Sequence, residues 1–455
     1  MIPIVTPEQM RAIDLASPLG LKRLVDLAGR AVAMTAINMM GGTYGRRVVV
    51  IIGKGNNGAD GRVAANVLRC RGVVVDCLGP GEIVPSHRRI DLIIDAAFGT
   101  GLRDSFVAPA IPAGVAVLAV DIPSGVDGLT GLVNGSPLRA DRTVTFGAYK
   151  PGLLFGDGPQ LAGHVTVADL GLDCGSARAH MVEQRDVARW VPSRADSAHK
   201  WKAATLVVAG SPGMFGAGRL ASAAAQRAGA GMVRLGSPGC EADPFAPTEV
   251  VSRPMAGDGW AIDVLADLKR FHSVVIGPGL GRLNSAVTGV RQIVSNCRIP
   301  IVVDADGLLA LSVGDGGAAE ILRSRVYPTV LTPHDAEFAL LFGERPGADR
   351  LQSTRFLAAR TGAVVLLKGP STIVASPDGR HLVVTEGSPR LATAGTGDVL
   401  AGVVGAMLAQ GIPAFEAAAA AAFVHGRASQ LGHDGLIASD LIDLLPGALQ
   451  SIRSS

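Results

Sequence analysis

Four short polar segments carry the residues of this chain that are best suited to chemistry, and each follows a short apolar run. Three of them lie close together, at residues 53–61, 95–101 and 121–125, and the fourth lies far downstream at residues 393–398. An open α/β sheet binds its ligands just beyond the carboxyl ends of its strands. The spacing therefore predicts two separate active sites on one polypeptide.

The first segment has the glycine spacing of a dinucleotide-binding turn. Gly53, Gly55 and Gly58 follow an apolar run and open a helical pattern, and Asp76 lies near the position of a ribose-binding acid. Such glycines let the backbone approach a ligand closely, and the helix N-terminus that follows attracts phosphate. A tight turn without a ligand would show the same spacing, so the glycines alone leave dinucleotide binding open.

The polar residues at the tip of this segment go beyond what a phosphate loop needs. Asn56, Asn57 and Asp60 add amide oxygens and a carboxylate, which suit a hard cation or the hydroxyl groups of a ligand. Asparagines also favour turns for purely conformational reasons, so a structural role for the pair stays open.

Two further carboxylates are expected at the same edge of the sheet. Asp95 and Asp121 each end an apolar run, and two neighbouring carboxylates repel unless a cation or a proton intervenes. Asn57, Asp95 and Ser124 can together supply three oxygen ligands to one cation. A helix-capping role for Asp95 and a turn-forming role for Asp121 are the alternatives. The glycine-rich residues 99–101 offer backbone N–H groups to an anion.

The downstream segment has a different chemistry. Residues 393–398 precede a helix of small and apolar residues, so their N–H groups form an anion hole, and Asp398 in the first turn is placed to accept a proton from a substrate hydroxyl. Lys368, in a turn between two strands, suits nucleotide phosphates. His334 and the glycine-rich residues 277–281 also follow apolar runs. Helix capping, a solvated turn and a structural histidine are the corresponding alternatives.

Composition bounds the class of protein. The chain has 455 residues, 48% of them apolar, with 59 glycines and only 4% aromatic residues, which is typical of an α/β enzyme of two to four domains. A net charge of +3 without a long basic block argues against nucleic acid binding. No apolar run reaches the roughly 18 residues of a membrane span, and residues 1–17 lack the apolar core of a signal peptide, so we expect a cytoplasmic protein. Five scattered cysteines without a CxxC pair predict free thiols.

Alternating apolar runs and helix-length segments predict the elements that position these residues. Residues 1–30 have the periodicity of an amphipathic helix, and helices are also expected at 217–229 and 397–409. The strand candidates are apolar throughout their length. Such strands are typical of mostly parallel sheets in which both faces are covered. In the first half they are 48–52, 73–77, 92–96, 115–120, 143–146 and 165–168. In the second half they are 205–209, 232–235, 273–276, 301–303, 330–331, 364–367, 372–375 and 382–385, and short turns make the last three antiparallel.

The pattern breaks near residues 175–190, which predicts a domain boundary there. We expect an N-terminal domain, residues 1–180, with a Rossmann-like, mostly parallel sheet and helices on both faces. The C-terminal domain, residues 181–455, is expected to be an α/β/α domain with a mixed sheet.

Together, the motifs Gly-Asn-Asn-Gly-x-Asp at residues 55–60, Asp-x-x-Phe-Gly-Thr-Gly-Leu at 95–102 and Asp-Ile-Pro-Ser-Gly at 121–125 resemble the NAD(P)H-hydrate epimerase family. The resemblance covers about residues 1–175 and implies that R and S hydrates of NAD(P)H are interconverted. It implies that Asn57, Asp95 and Ser124 hold K⁺ and that Asp121 is the catalytic acid/base. It also implies a substrate site formed by Asn56, Asn57, Gly58, Ala59, Asp60, Gly99, Thr100, Gly101, Leu102, Arg103, Asp104, Ser105 and Asp121. The chain departs from the family at Ala59, where the family usually has glycine.

The downstream motifs resemble the ribokinase-like superfamily, and most closely its ADP-dependent NAD(P)H-hydrate dehydratases. They are found at residues 210–217, 277–281, 304–308, 332–334, 368–369 and 394–398. The resemblance implies that Asp398 is the catalytic base, that the S hydrate is converted to NAD(P)H, and that ADP and Mg²⁺ take part with AMP and phosphate as products. The residues implied for the hydrate are Ala217, Gly281, His334 and Asp398, and those for the nucleotide are Lys368, Gly369, Pro370, Ser371, Thr372 and Gly397.

A fused two-step repair enzyme is therefore the leading hypothesis, with NADH hydrate, NADPH hydrate and ADP as small-molecule partners and with homo-oligomer formation left open. One alternative is a ribokinase-type small-molecule kinase with an N-terminal ligand-binding module. Another is an NAD-dependent dehydrogenase that uses the glycine turn and Asp76. A third treats residues 1–175 as a scaffold without catalytic activity.

Overall fold

The computed structural model describes residues 1–84, 89–101, 105–312 and 317–453. The chain divides into two compact units, Ile2–His180 and Met181–Ser455, and Met1 is grouped with the second. Each unit is built around its own sheet. Within the described ranges no helix is both long and apolar enough to cross a membrane.

The N-terminal unit is an α/β unit with a parallel sheet. Its helices are α1 (Pro7–Ala16), α2 (Gly20–Met40), α3 (Asn56–Cys70) and α4 (Gly158–Ala162). Its strands are β1 (Ile2–Ile4), β2 (Arg47–Ile52), β3 (Val74–Leu78), β4 (Leu92–Ala96), β5 (Phe106–Val107), β6 (Ala116–Val120), β7 (Gly135–Ser136), β8 (Arg142–Phe146) and β9 (His164–Ala168). The central strands are all parallel in the order β3-β2-β4-β6-β8-β9, which confirms the predicted parallel sheet.

The two faces of this sheet are covered differently. One face packs against α2 and α3, through a cluster that includes Val32, Ala36 and Leu68. On the other face, the described residues of the buried cluster come from strands and loops, among them Phe106 and Leu138, and none belongs to a helix. Helix α4 also lies against this face, since the hydroxyl of Thr143 on β8 donates to the Ala162 carbonyl at 2.7 Å.

The prediction of one helix over residues 1–30 is wrong in its continuity. The chain forms β1, then α1 and then α2, with a break at residues 17–19. Thr6 and Gln9 form a capping box at the start of α1. Pro18 disfavours helical backbone in the residue before it, and Ser17 is extended, with φ −66° and ψ 129°. The periodicity was real, but it came from two helices.

The C-terminal unit follows β10 (Ala179–Met181). Its strands are β11 (Ala204–Val208), β12 (Met232–Gly236), β13 (Val251–Arg253), β14 (Ser273–Ile276), β15 (Ile301–Val303), β16 (Thr329–Leu331), β17 (Val364–Leu367), β18 (Thr372–Ala375) and β19 (His381–Val384). Its helices are α5 (Gln184–Trp190), α6 (Phe215–Arg227), α7 (Trp260–Asp267), α8 (Asn284–Asn296), α9 (Asp306–Ser312), α10 (Gly317–Arg323), α11 (Asp335–Phe342), α12 (Arg350–Thr361), α13 (Thr396–Ala409), α14 (Ala414–Leu431) and α15 (Ala438–Arg453).

This second sheet is mixed, as predicted. Its strands run in the order β19-β18-β17-β16-β15-β14-β11-β12-β13, and β18 is antiparallel to both of its neighbours. Helices α6, α13, α14 and α15 contribute to a large buried cluster. Small residues allow α13 and α6 to approach closely, since a Cβ on Gly402 would lie only 2.1 Å from the Ala221 carbonyl oxygen.

Candidate active sites

The three N-terminal polar segments meet at the carboxyl edge of the parallel sheet. Helix α3 begins at Asn56, shortly after β2, and Asp95 lies near the end of β4. Asp121 follows β6 directly, and the register of these parallel strands places Asp95 opposite Ala119. The fold therefore brings together residues that lie up to about 70 positions apart in the sequence.

Asp95 and Ser124 form a buried hydrogen-bonded pair. The Ser124 hydroxyl donates to Asp95 Oδ1 at 2.6 Å, and the Ser124 backbone N–H donates to Oδ2 at 2.9 Å. Burial raises the pKa of Asp95 above its usual value, while hydrogen bonds from Ser124 and Ala97 oppose that rise. The pair is fully enclosed, with both residues at 0% exposure.

Asn57 is the residue of this site whose bonding is incomplete. Its side chain is buried, and neither Oδ1 nor Nδ2 has a hydrogen-bond partner within the described part of the chain. Leaving a buried amide unsatisfied costs free energy, so such a group indicates a missing ligand. Gly99 lies beside both Asn57 and Asp121, because a Cβ there would lie 3.6 Å from the Asn57 side chain and 3.7 Å from Asp121 Oδ2, in van der Waals contact with both.

Asp121 has an unusual backbone conformation. Its φ is +65°, and a hydrogen bond of 2.8 Å from the Ile122 N–H to the Val120 carbonyl closes a three-residue turn around it. The left-handed region is unfavourable for a residue with a Cβ, and strain of this kind is concentrated at functional sites. A bond of 2.7 Å from the Asp121 N–H to the Val144 carbonyl ties the turn to strand β8.

Two further carboxylates surround Asp121. Asp60, on α3, is buried, and its pKa is raised to about 8, first by burial and then by the charges of Asp121 and Asp14. Asp14, on α1, also has a raised pKa, again mainly through burial. Lys150 opposes the shift in both cases. Asp60 is therefore protonated at neutral pH.

Sequence reasoning missed both Asp14 and Lys150. Lys150 lies four residues after β8 and forms an ion pair with Asp121 Oδ1 at 2.6 Å. Its position after a strand end was the available signal, but lysines in such loops are usually solvated. Asp14 gave no local signal, since only the packing of α1 brings it near the site.

The remaining predicted residues of this site are placed as follows. Gly58 and Ala59 lie in the first turn of α3, and a Cβ on Gly58 would lie 2.0 Å from the Gly53 carbonyl oxygen. Gly99, Thr100, Gly101 and Ser105 belong to the loop after β4. Leu102, Arg103 and Asp104 lie outside the described residues.

Asp76 does not have the surroundings that the dehydrogenase alternative needs. It lies within β3, at the edge of the sheet, and accepts a hydrogen bond of 2.8 Å from Arg47. A ribose-binding acid should instead end its strand with its carboxylate open to the ligand. The ion pair with Arg47 gives Asp76 a structural role.

In the C-terminal unit, Asp398 lies in the first turn of α13. Gly395 precedes the helix with a φ of +88°, which only glycine adopts readily. The pKa of Asp398 is raised to about 6, chiefly by burial and next by Asp304, while Lys368 opposes the rise. A carboxylate of this kind is ionised at neutral pH but ready to accept a proton, which is what a general base requires.

The turn that leads into α13 is fixed from two sides. The Thr396 hydroxyl donates to the carbonyls of Leu391, at 2.8 Å, and Thr393, at 3.0 Å. Buried His425 places Nε2 2.9 Å from the Thr396 carbonyl, and burial lowers the pKa of this histidine to about 4. The ring is therefore neutral and donates its N–H to that carbonyl.

Lys368 lies beside this turn but is already paired. Its Nζ lies 2.9 Å from Asp304 Oδ1 and 3.5 Å from Glu337 Oε2. Burial acts to lower the pKa of Lys368, but the charges of Asp304 and Glu337 outweigh it and raise the pKa above the usual value. A Cβ on Gly397 would lie 3.6 Å from Nζ, so the ammonium group borders the helix N-terminus. Asp304 and Glu337 were not singled out as site residues from the sequence.

Ala217 lies in the first turn of α6, and Gly281 lies in the loop after β14, which approaches it. The Ser211 hydroxyl donates to the Gly279 carbonyl at 2.9 Å, and a Cβ on Gly279 would lie 2.9 Å from the Ala217 Cβ. The Gly281 N–H donates to Asp306 Oδ2 at 2.9 Å. Asp306, another acid overlooked as a site residue, thus fixes the loop that contains Gly281.

His334 caps a helix. Its Nδ1 accepts hydrogen bonds from the backbone N–H groups of Ala336 and Glu337 at the start of α11, and its side chain is 55% exposed. The Lys368 N–H donates to the Pro333 carbonyl at 2.9 Å, so His334 neighbours the Lys368 turn. The residues after Lys368, which are Gly369, Pro370, Ser371 and Thr372, connect β17 to β18.

Comparisons with known proteins agree with the division into two units. The model of the NAD(P)H-hydrate dehydratase family matches residues 205–446, and the model of the YjeF-related protein N-terminus matches residues 21–88 and 80–152.

Similar proteins named bifunctional NAD(P)H-hydrate repair enzyme occur in several organisms. The one from Salinibacter ruber is 35% identical over 98% of this chain and 95% of its own length. The one from Mycobacterium leprae is 39% identical over 86% of this chain and 84% of its own length.

Among solved structures, the ADP/ATP-dependent NAD(P)H-hydrate dehydratase of Bacillus subtilis, co-crystallised with ATP and Mg²⁺, is 28% identical with a TM-score of 0.50 and covers 59% of this chain and 97% of its own. A ribokinase-like protein from Enterococcus faecalis, 21% identical with a TM-score of 0.52, covers 61% of this chain and 97% of its own and supports the fold alone. With relatives above 30% identity over most of both chains, this chain belongs to the family of bifunctional NAD(P)H-hydrate repair enzymes.

Proposed function

We propose that this chain repairs hydrated NADH and NADPH in two consecutive steps. The N-terminal domain, residues 1–180, interconverts the R and S hydrates, and the C-terminal domain, residues 181–455, dehydrates the S form. The observation that carries the first step is the buried, unpartnered Asn57 amide beside the strained Asp121. The raised pKa of Asp398 in the first turn of α13 supports the second.

For epimerisation, Asp121 acts as the acid/base group for the carbinolamine hydroxyl on C6, and the C6–H bond stays intact. It is placed for this by its position directly after β6 at the carboxyl edge of the sheet, where its Oδ2 lies near Gly99 and Asn57. Asp60, protonated at neutral pH, adds a proton donor to the same site. The glycine turn before α3 suits the pyrophosphate of a substrate that is itself a dinucleotide.

The residues of this site also fit a K⁺ ion. Asn57 Oδ1 lacks a protein partner in the described residues, and Asp95 and Ser124 add buried oxygens. Such a hard oxygen set suits an alkali cation, which supplies positive charge for an anionic part of the substrate. Replacement of the Asn57 amide oxygen is therefore expected to weaken K⁺ binding itself, measured by K⁺-dependent thermal stability.

For dehydration, Asp398 accepts the proton of the C6 hydroxyl. At the same time, the oxygen of that hydroxyl attacks the β-phosphorus of ADP, and AMP leaves. The C6–O bond then breaks with loss of phosphate, and loss of the C5 proton restores the ring double bond. The backbone N–H groups around Gly395 and Gly397 stabilise the charge that develops on the transferred phosphoryl group.

Mg²⁺ is expected to arrive with the phosphates of ADP, because this ion keeps several waters and binds proteins through few carboxylates. Lys368 pairs with both Asp304 and Glu337, so its ammonium group offsets part of the negative charge that a nucleotide would meet here.

The test is to incubate the protein with mixed R and S hydrates, Mg²⁺ and ADP, and to follow the absorbance of the reduced nicotinamide. Both activities together restore both epimers, whereas the dehydratase alone restores only the S fraction. Formation of AMP and phosphate in step with NAD(P)H supports the proposed route. Consumption of ATP with a stable phosphorylated product would instead favour the small-molecule kinase.

A further inference from the structure

Lys150 is the most deeply buried cation of the N-terminal unit among the described residues, at 1% exposure. Its Nζ lies 2.6 Å from Asp121 Oδ1 and donates to Thr145 Oγ1 at 2.9 Å and to the Phe146 carbonyl at 3.0 Å. An ammonium group has three donors, and these three contacts use all of them. Lys150 is therefore held in one geometry and has no donor left for a substrate.

The Lys150–Asp121 contact is part of a closed triangle. The Thr145 hydroxyl accepts from Lys150 Nζ and donates to Asp121 Oδ1 at 3.0 Å. Thr145 lies on β8, which pairs in parallel with β6, so adjacent strand ends present the two charged residues to each other. Both contacts with the Asp121 carboxylate are made at Oδ1, whereas Oδ2 lies near Gly99, where a Cβ would lie 3.7 Å from it.

The charges around the triangle are unbalanced. Asp14, Asp60 and Asp121 interact electrostatically with Lys150, which is the cation that opposes the raised pKa of both Asp14 and Asp60. The pKa of the Cys174 thiol is raised chiefly by burial, and the charge of Lys150 opposes this rise as well. A buried lysine is costly without a paired charge, and here the close pair is with the strained residue of the site.

We propose that Lys150 is a positioning residue of the first site, which pairs with Asp121 and fixes its Oδ1 so that Oδ2 is left to act on the substrate. This inference rests on the proposed role of Asp121 in epimerisation. Lys150 acts through Asp121 and does not touch the substrate.

The test compares Lys150→Met, which removes the charge, with Lys150→Arg, which keeps it. R/S interconversion is followed by chromatography without ADP, so that the second activity is silent. For Lys150→Met we expect kcat to fall about 100-fold with KM nearly unchanged, a loss typical of disabled acid–base catalysis. The acid limb of the rate–pH profile should move up by about one unit or more, because an opposite charge favours the ionised carboxylate. Lys150→Arg should keep the acid limb near that of the unmodified protein.

If Lys150 had only a structural role, its replacement would lower stability without shifting the rate–pH profile. An unshifted acid limb in a folded Lys150→Met variant therefore overturns the inference. Circular dichroism and thermal unfolding verify the fold of each variant. If Lys150→Met does not fold, Lys150→Gln, which keeps a donor for the Phe146 carbonyl, serves as the neutral variant with the same expected shift.

Asp121→Asn separates this inference from the proposed function. If Asp121→Asn keeps full interconversion, the proposed role of Asp121 is wrong, and the proposed role of Lys150 is wrong with it. If Asp121→Asn is inactive while the neutral Lys150 variants match the unmodified protein, only the inference about Lys150 fails.

Discussion

Replacement of Asp398 by Asn is the most informative single change in the C-terminal unit. The substitution keeps the size of the side chain and removes its ability to accept the hydroxyl proton. General-base catalysis is worth about 10²–10⁴ in rate, so we expect dehydration of the S hydrate to slow by that factor, a barrier increase of about 3–5 kcal/mol. Interconversion of R and S hydrates should be unchanged, because Asp121 belongs to the other unit.

The pH dependence of the unmodified protein tests the same assignment. Burial and Asp304 raise the pKa of Asp398 to about 6, so the base is ionised above that pH and protonated below it. We therefore expect kcat/KM for dehydration to fall about tenfold per pH unit below about 6 and to level off above it.

The assay uses pure S hydrate, ADP and Mg²⁺ with detection of the reduced nicotinamide, alongside chromatographic measurement of interconversion without ADP. Two results would refute the reasoning. One is a folded Asp398→Asn variant that dehydrates normally. The other is a variant that keeps its fold but loses both activities together.

Three further predictions concern the first site and the core. K⁺ should support interconversion better than Na⁺, with Asn57→Ala abolishing the difference, and equal rates in both salts would count against the cation site. Asp60→Asn should stabilise the N-terminal unit above about pH 8 and leave it unchanged below about pH 4, measured by thermal unfolding. In the folded protein the pKa of Asp60 is raised to about 8, so the protonated carboxyl group of Asp60 stabilises the folded state at low pH. This stabilisation is lost as the pH rises from about 4 to 8. Gly402→Ala should destabilise the C-terminal unit by about 1–3 kcal/mol, because its Cβ would meet the Ala221 carbonyl at 2.1 Å, whereas Gly216→Ala, with nothing within 4 Å, should not.

The strands could be predicted well because each is a short run of apolar residues between polar turns. Such a run is needed wherever both faces of a sheet are covered, as for Val48, Val49 and Val50 in β2, all of which have 0% exposure. Periodicity alone could not place the break between α1 and α2, where Pro18 was the signal that should have outweighed the pattern.

Prediction of the site was limited by long-range packing. Asp95, Asp121 and Asp398 follow from local rules, since acids at strand ends and helix starts belong to the binding edge of α/β folds. The partners that set their charge come from elsewhere in the sequence. Lys150 reaches Asp121 from the loop after β8, and Asp304 reaches Lys368 across 64 positions. A single sequence does not show which of its many charged residues become buried together.

The central claim is that two separate sites, one around Asp121 and one around Asp398, act in sequence. It is tested most directly by mixing the full-length variants Asp121→Asn and Asp398→Asn with both hydrates, Mg²⁺ and ADP, on a timescale short against spontaneous interconversion. Alone, the first should restore only the S fraction and the second nothing, and the mixture should restore all of the reduced nicotinamide. A mixture that recovers no more than Asp121→Asn alone would contradict the account.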